Sequence, residues 1–161
     1  VSTAEKFKTN LSVIKSVIHS NEKRSALLLK RIFNLLKGKI KNKKISFLGV
    51  TFKANTDDMR DSPCLSMISA LINKGAKINY FDPTGEKNEL KKFKNVYFSK
   101  NIDSAINNSD LIIIHTEWND FKSINFKKII KKKNFIIFDM RNIYSTSKMK
   151  EKKIKYFAIG C

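Results

Sequence analysis

Cysteine is almost absent from this chain: its 161 residues hold two, Cys64 and Cys161. Two cysteines cannot build the multi-bridge framework of a small secreted domain, and neither sits at a paired metal-ligand spacing. Proline, with two residues, and glycine, with five, are also scarce, which excludes a Pro/Gly-rich linker or other low-complexity chain. No apolar run approaches the roughly 20 residues that a membrane-spanning helix needs, and residues 1–20 lack the pattern of a secretory signal. These absences point to a cytoplasmic protein. The chain begins at Val1 rather than Met and reads as a fragment of something longer.

Acids are the other shortage. Fourteen Asp and Glu face 33 Lys and Arg, giving a net charge of +19. Such an excess suits a phosphate-rich partner: nucleic acid, an anionic membrane or a phosphorylated small molecule. Here, however, the excess is mostly Lys, spread along the chain and accompanied by many Asn and Ile. Codon usage in an A- and T-rich genome yields that mix unaided. Runs such as Lys131, Lys132 and Lys133 fall in an expected turn, whereas nucleic-acid sites tend to join Arg and aromatics on one face. Compositional bias is the preferred reading. Neither nucleic acid nor a membrane is expected as a partner.

What is present is a foldable core. Hydrophobic residues make up 42% of the chain and aromatics 11%, enough to reject global disorder and to fill one domain. Residues 2–37 read as a helical arm: Phe7, Leu11, Ile14, Val17 and Ile18 recur at helical spacing, as do Leu29, Ile32, Phe33 and Leu36. Asn21, Glu22 and Arg24 interrupt or bridge the two stretches, and Gly38 supplies a stop. From residue 45 the period changes. Short apolar strands at 45–50, 77–81, 96–98, 111–114, 135–138 and 154–159 alternate with helical segments. That order predicts an α/β fold, a Rossmann-like doubly wound, mainly parallel sheet of five to six strands behind the helical arm. The expected division is an arm over residues 1–40 and a domain over 41–161. Ligands of such sheets sit at the C-terminal ends of the strands, so the loops after Val50, Ile114 and Phe138 are the places to look.

The first of these loops, residues 49–63, runs Gly-Val-Thr-Phe-Lys-Ala-Asn-Thr-Asp-Asp-Met-Arg-Asp-Ser-Pro. With a single glycine it is no G-x-G-x-x-G turn, and a dinucleotide pyrophosphate cannot approach its backbone as that motif allows. It does offer Lys53 and Arg60 as phosphate donors and Phe52 as a surface for a base or sugar. Ser62 and Pro63 would cap and open a helix whose N-terminus favours anions. The competing reading is a polar loop in which Asp57 and Asp58 satisfy the backbone and Arg60. Local chemistry leaves the two evenly matched.

The pattern G-x-x-F-K-x-x-T-D-D-x-R-x-S-P over these residues resembles the opening of the C-terminal domain of the UDP-glucose/GDP-mannose dehydrogenase family. The resemblance continues in order along nearly the whole chain. Residues 71–83 resemble a helix, Gly-Ala, strand and Asp-Pro segment; residues 110–121 contain Thr116-Glu117-Trp118; residues 138–142 read Phe-Asp-Met-Arg-Asn. Met140 stands where the family often has glycine. The resemblance implies a nucleotide-sugar-binding role, with Phe52, Lys53 and Arg141 on the substrate, UDP-glucose or a similar nucleotide sugar, and Arg60 reaching the NAD cofactor. It implies NAD-dependent oxidation of a UDP-sugar at C6 by a longer homodimeric protein. Oxidation of UDP-N-acetylmannosamine or GDP-mannose is the alternative within the family; a basic nucleic-acid-binding module is the alternative outside it. The family's G-x-G-x-x-G segment and its catalytic cysteine, in a Gly-rich segment ending Cys-Phe-Pro-Lys, have no counterpart in these 161 residues.

Other reactive residues are read as structural. Cys64, in the first turn of a predicted helix, is expected to pack rather than attack. His115 has no acid or thiol at ligand spacing, and His19 lies on the helical arm; both are expected to be structural or exposed. Asp82, followed by Pro83, reads as a turn residue rather than a ribose acid, and Trp118 as core.

Overall fold

The computed structural model describes residues 12–160; Phe7, Leu11 and Cys161 lie outside the described residues. The arm is one helix, α1 (Ser12–Leu35). Of the two readings of residues 21–24, break or bridge, the bridge holds: the helix runs straight through them, with no proline or glycine inside it. Its C-terminal half joins the core: Ile32 is fully buried, with Leu28, Leu29 and Phe33 packed beside it. Its N-terminal half leaves Val13, Ile14 and Val17 exposed. Lys37 (φ 51°) and Gly38 (φ 72°) turn left-handed after it, and the Gly38 amide donates to the Phe33 carbonyl at 2.9 Å.

Six strands follow: β1 (Lys44–Leu48), β2 (Lys77–Phe81), β3 (Val96–Phe98), β4 (Leu111–Ile114), β5 (Ile136–Asp139) and β6 (Lys155–Ala158). They form one sheet in the order β3-β2-β1-β4-β5-β6. Every pairing is parallel, so the expected "mainly parallel" sheet is wholly so. Helices α2 (Pro63–Asn73), α3 (Asn88–Lys91), α4 (Ile102–Ile106), α5 (Phe126–Ile129) and α6 (Thr146–Glu151) occupy the crossovers. Chain growth passes from β1 outward to β3 and then returns to β4. The order therefore reverses between β1 and β4, and the crevice of a doubly wound sheet lies there.

The pleat divides the core in two. Ile45, Phe47, Leu111, Ile113 and Phe138 face α1 and α2; Leu48, Ile112, Ile114 and Ile137 face α4 and α5. Ser46 is the polar exception on the second face, and it is satisfied: its hydroxyl donates to the Ala105 carbonyl at 2.7 Å and lies 2.6 Å from Ser109 Oγ. Leu111–Ile114 is apolar on both faces, as a central parallel strand must be. Removing a fully buried ring from β1 tests this arrangement. Phe47→Ala is expected to lower unfolding free energy by about 3–5 kcal/mol, read from the urea midpoint at unchanged m-value.

Candidate functional site

The loop after β1 is tied down at its base. Gly49 is left-handed (φ 75°), and a Cβ there would lie 2.5 Å from Thr116 Cβ on the loop after β4. Only glycine allows both the turn and this approach. Thr116 Oγ1 then donates to the Thr51 carbonyl at 2.9 Å, joining the two loops across the switch point. From the end of β2, the buried Asp82 carboxylate accepts the amides of Val50 (2.9 Å) and Thr51 (3.4 Å) on Oδ2, and the Thr84 amide (3.0 Å) on Oδ1. Asp82 is thus the turn residue expected, and it also organises the neighbouring loop.

Ser62 stands at the N-cap of α2, but its hydroxyl makes no cap bond. It donates instead to the Val50 carbonyl (2.7 Å), which Cys64 Sγ also reaches at 2.9 Å. The expected side-chain cap gives way to a tie between helix and strand end. Burial pushes the Cys64 thiol up to about 12, so at neutral pH it is a packed, protonated group.

The loop after β5 repeats the device. Buried Asp139 accepts the Arg141 amide (2.9 Å) on Oδ1, and the Ile143 amide (2.8 Å) and Tyr156 hydroxyl (2.9 Å) on Oδ2. Asn142 takes the left-handed turn (φ 55°). Met140 is not among the positive-φ residues, so the replacement of glycine there carries no backbone strain. Arg141 Nε donates to the His115 carbonyl at 2.6 Å and pairs with Glu117 at 3.0 Å.

His115 itself is buried. Burial, reinforced by Arg141, pushes its pKa down to about 3, so it is neutral. Its Nδ1 lies 3.1 Å from Thr116 Oγ1; that hydroxyl spends its proton on the Thr51 carbonyl, which assigns the ring proton to Nδ1. Trp118 is buried in the second core cluster, as expected, with no hydrogen-bond partner for Nε1 among the described residues.

These loops border a cleft of about 910 Å³, within the usual range of small-molecule sites. Phe52 and Lys53 enter it from the first loop, Ser62, Pro63 and Met67 from the start of α2, and Met140 and Arg141 from the β5 loop. The structure thus brings Phe52, Lys53 and Arg141 together. Arg60 lies outside this lining: its 88% exposed side chain is held by Asp58 at 2.9 Å. Hydrogen bonds from Arg60 push the Asp58 carboxyl down to about 2. That is the self-satisfied reading of the loop, realised at one end while the other end faces the cleft.

The fourth wall belongs to α1. Ile18, Asn21, Arg24, Ser25 and Leu28 line the cleft, and sequence reasoning did not assign them to it. A signal existed: Ile18, Asn21, Ser25 and Leu28 share one helical stripe, and its middle is polar although its ends are apolar. Arg24, Lys53 and Arg141 are the cations of the lining, against one acid, Asp61.

Residues 46–146 match the family model described as "UDP-glucose/GDP-mannose dehydrogenase family, UDP binding domain". The UDP-glucose 6-dehydrogenase of Rickettsia typhi is 38% identical over 97% of this chain, and the chain spans 37% of that relative's length. Among solved structures, a UDP-D-ManNAc dehydrogenase from Pyrococcus horikoshii superposes with a TM-score of 0.76 at 25% identity, over 98% of this chain and 35% of that one. A UDP-glucose dehydrogenase from Pyrobaculum islandicum gives 0.75 at 21% identity, over 96% of this chain and 34% of that one, and so attests the fold.

The buried neutral histidine makes a pH prediction. Its folded pKa, about 3, lies below its ordinary value of 6.5. Between those values the unfolded chain binds the extra proton, so stability falls as pH falls. Its limit is about 1.4 kcal/mol per pH unit. Urea unfolding between pH 6.5 and 5.5, above the ordinary carboxylate range, should show this slope, and His115→Gln should flatten it.

Proposed function

Because the chain belongs to the UDP-glucose/GDP-mannose dehydrogenase family, we propose that its cleft binds the nucleotide sugar for an NAD-dependent UDP-glucose 6-dehydrogenase. The convergence of Phe52, Lys53 and Arg141 on one cleft carries this reading. Lys53 and Arg141 hold the diphosphate as charge-assisted donors, and Phe52, 48% exposed, offers its face to the base or sugar. Among the described residues the Arg141 side chain engages protein through Nε, and its terminal nitrogens are the donors assigned to the ligand. Residues 1–40 act as the end of a central dimerisation region and residues 41–161 as the nucleotide-sugar domain of a homodimer.

The reaction oxidises C6 of UDP-glucose to the carboxylate of UDP-glucuronate, and NAD would accept the hydride in each of its two oxidations. This chain's residues fit NAD only at the margin. The β1 loop has one glycine and no pyrophosphate cradle, and Arg60 is the donor exposed beyond the cleft. Arg60 therefore contacts the cofactor from outside, and the dinucleotide fold and catalytic cysteine belong to the longer protein. The UDP-D-ManNAc dehydrogenase likeness keeps a related UDP-sugar as the second reading, because most of the hexose pocket is assigned to groups outside this chain.

Calorimetry with UDP tests the assignment. Lys53→Ala and Arg141→Ala should each weaken binding by about 10- to 100-fold, the worth of a charge-assisted contact. Arg60→Ala should change it less than about twofold. Unchanged UDP affinity in Lys53→Ala would overturn the assignment. Mixed with UDP-glucose and NAD, the chain alone should form no NADH; turnover would show that it carries its own chemistry.

A further inference from the structure

The charge that looks evenly spread along the sequence is sorted by the fold. In a parallel sheet every strand starts at the same edge, so the segments leading into the strands are gathered there. Backbone bonds join them: Lys77 N to the Lys43 carbonyl (2.8 Å), Asn42 N to the Gly75 carbonyl (2.8 Å), Asp110 N to the Lys44 carbonyl (2.8 Å) and Ile136 N to the Asp110 carbonyl (3.0 Å). Across β1 and β2, Lys44 and Lys77 are register partners.

These entry segments, residues 39–44, 74–77, 94–95, 107–110, 131–135 and 152–155, are rich in lysine and contain one acid, Asp110. That acid is already taken: Lys43 Nζ lies at 3.0 Å and Lys132 Nζ at 2.6 Å. The opposite edge, where the cleft lies, is mixed, with Asp57, Asp58, Asp61, Asp82, Glu117 and Asp139 among its cations. Compositional bias alone would load both edges alike.

We propose that the N-terminal edge of the sheet is a docking face for an anionic lipid surface. Six strands at about 4.8 Å spacing give a row roughly 25 Å wide, broad enough to lie on a bilayer. The entry segments contain no arginine, and their one aromatic, Phe135, is buried. Stacking on bases relies on exposed aromatics and Arg. Lysine ammonium groups on flexible stems suit headgroup phosphates and carboxylates without directed geometry. The face lies at the other end of the sheet from the cleft, so a docked molecule keeps its ligand site open. This inference is independent of which nucleotide sugar the cleft binds.

Co-sedimentation of the chain with vesicles tests it, using phosphatidylcholine alone or with about 30% phosphatidylserine, and duplex DNA as a competitor. The expected result is affinity at least tenfold higher for the anionic vesicles, falling about tenfold between 50 and 200 mM salt, as screening dictates. Reversing exposed charges away from the Asp110 clamp (Lys131→Glu, Lys133→Glu and Lys152→Glu together) should abolish it while UDP affinity is unchanged. Lys100→Glu with Lys122→Glu, on the other edge, should leave vesicle binding nearly intact. Equal binding to neutral vesicles, equal loss in both variants, or tighter binding to duplex DNA would each overturn the proposal. Circular dichroism of each variant separates loss of the face from loss of the fold.

Discussion

Asp82 ends β2 with 1% of its surface exposed. A buried carboxylate is costly unless its oxygens are bonded, and here backbone amides on two different loops, the Thr84 hydroxyl and the buried Lys87 ammonium share that task. Much of the ligand end of the sheet depends on that exchange. If the amides of Val50 and Thr51 turned elsewhere, buried Oδ2 would lose its donors, so the loop that carries Phe52 and Lys53 is held to one direction as it leaves its strand. Asp139 imposes the same condition on the loop of Arg141. In each case the carboxylate also accepts the amide two residues on, a local turn reused as a tertiary anchor. In a low-dielectric setting such networks are stiff. The cleft's two loop cations therefore stand on supports built before any ligand arrives.

The two ends of the sheet answer to different physics. At the C-terminal end, acids and cations are interleaved because loops must satisfy themselves and still present a few donors. Arg60 shows the first duty, clamped by Asp58; Lys53 and Arg141 show the second. At the N-terminal end the segments are short connections into buried strands, away from the cleft. Their lysines repel one another weakly in water and tolerate crowding, with Asp110 neutralising the point of closest approach. Salt and an anionic partner are the two agents able to relieve that repulsion.

Legibility tracked how local each cause is. The inner strands stood out because burial on both faces writes itself as short apolar runs, clearest at Leu111–Ile114; the edge strands β3 and β6, which keep exposed residues, were fainter. The loop at residues 49–63 was legible only as two evenly matched readings, a phosphate grip and a self-satisfied polar loop, because donor types are local while the direction in which they point is not. The continuity of α1 past Asn21 was obscured by its polar residues, which belong to a cleft wall rather than to a break. The role of Ser62 was misjudged for a related reason: a hydroxyl at a cap position has a second acceptor, the Val50 carbonyl, that is distant in sequence and near in space.

By itself, then, the sequence determined the strands, the α/β class, the chemistry of the loops and the family to which those loops point, because pleat period, turn preference and donor type are properties of neighbouring residues. Only the tertiary structure decided which side chains meet. It put Arg141 and Lys53 on one cleft and left Arg60 outside it, made Asp82 an anchor, and closed the cleft with α1. It also sorted the lysines. Along the chain they are scattered, but a parallel sheet brings every strand entrance to one edge, and only the strand order says which of them become neighbours.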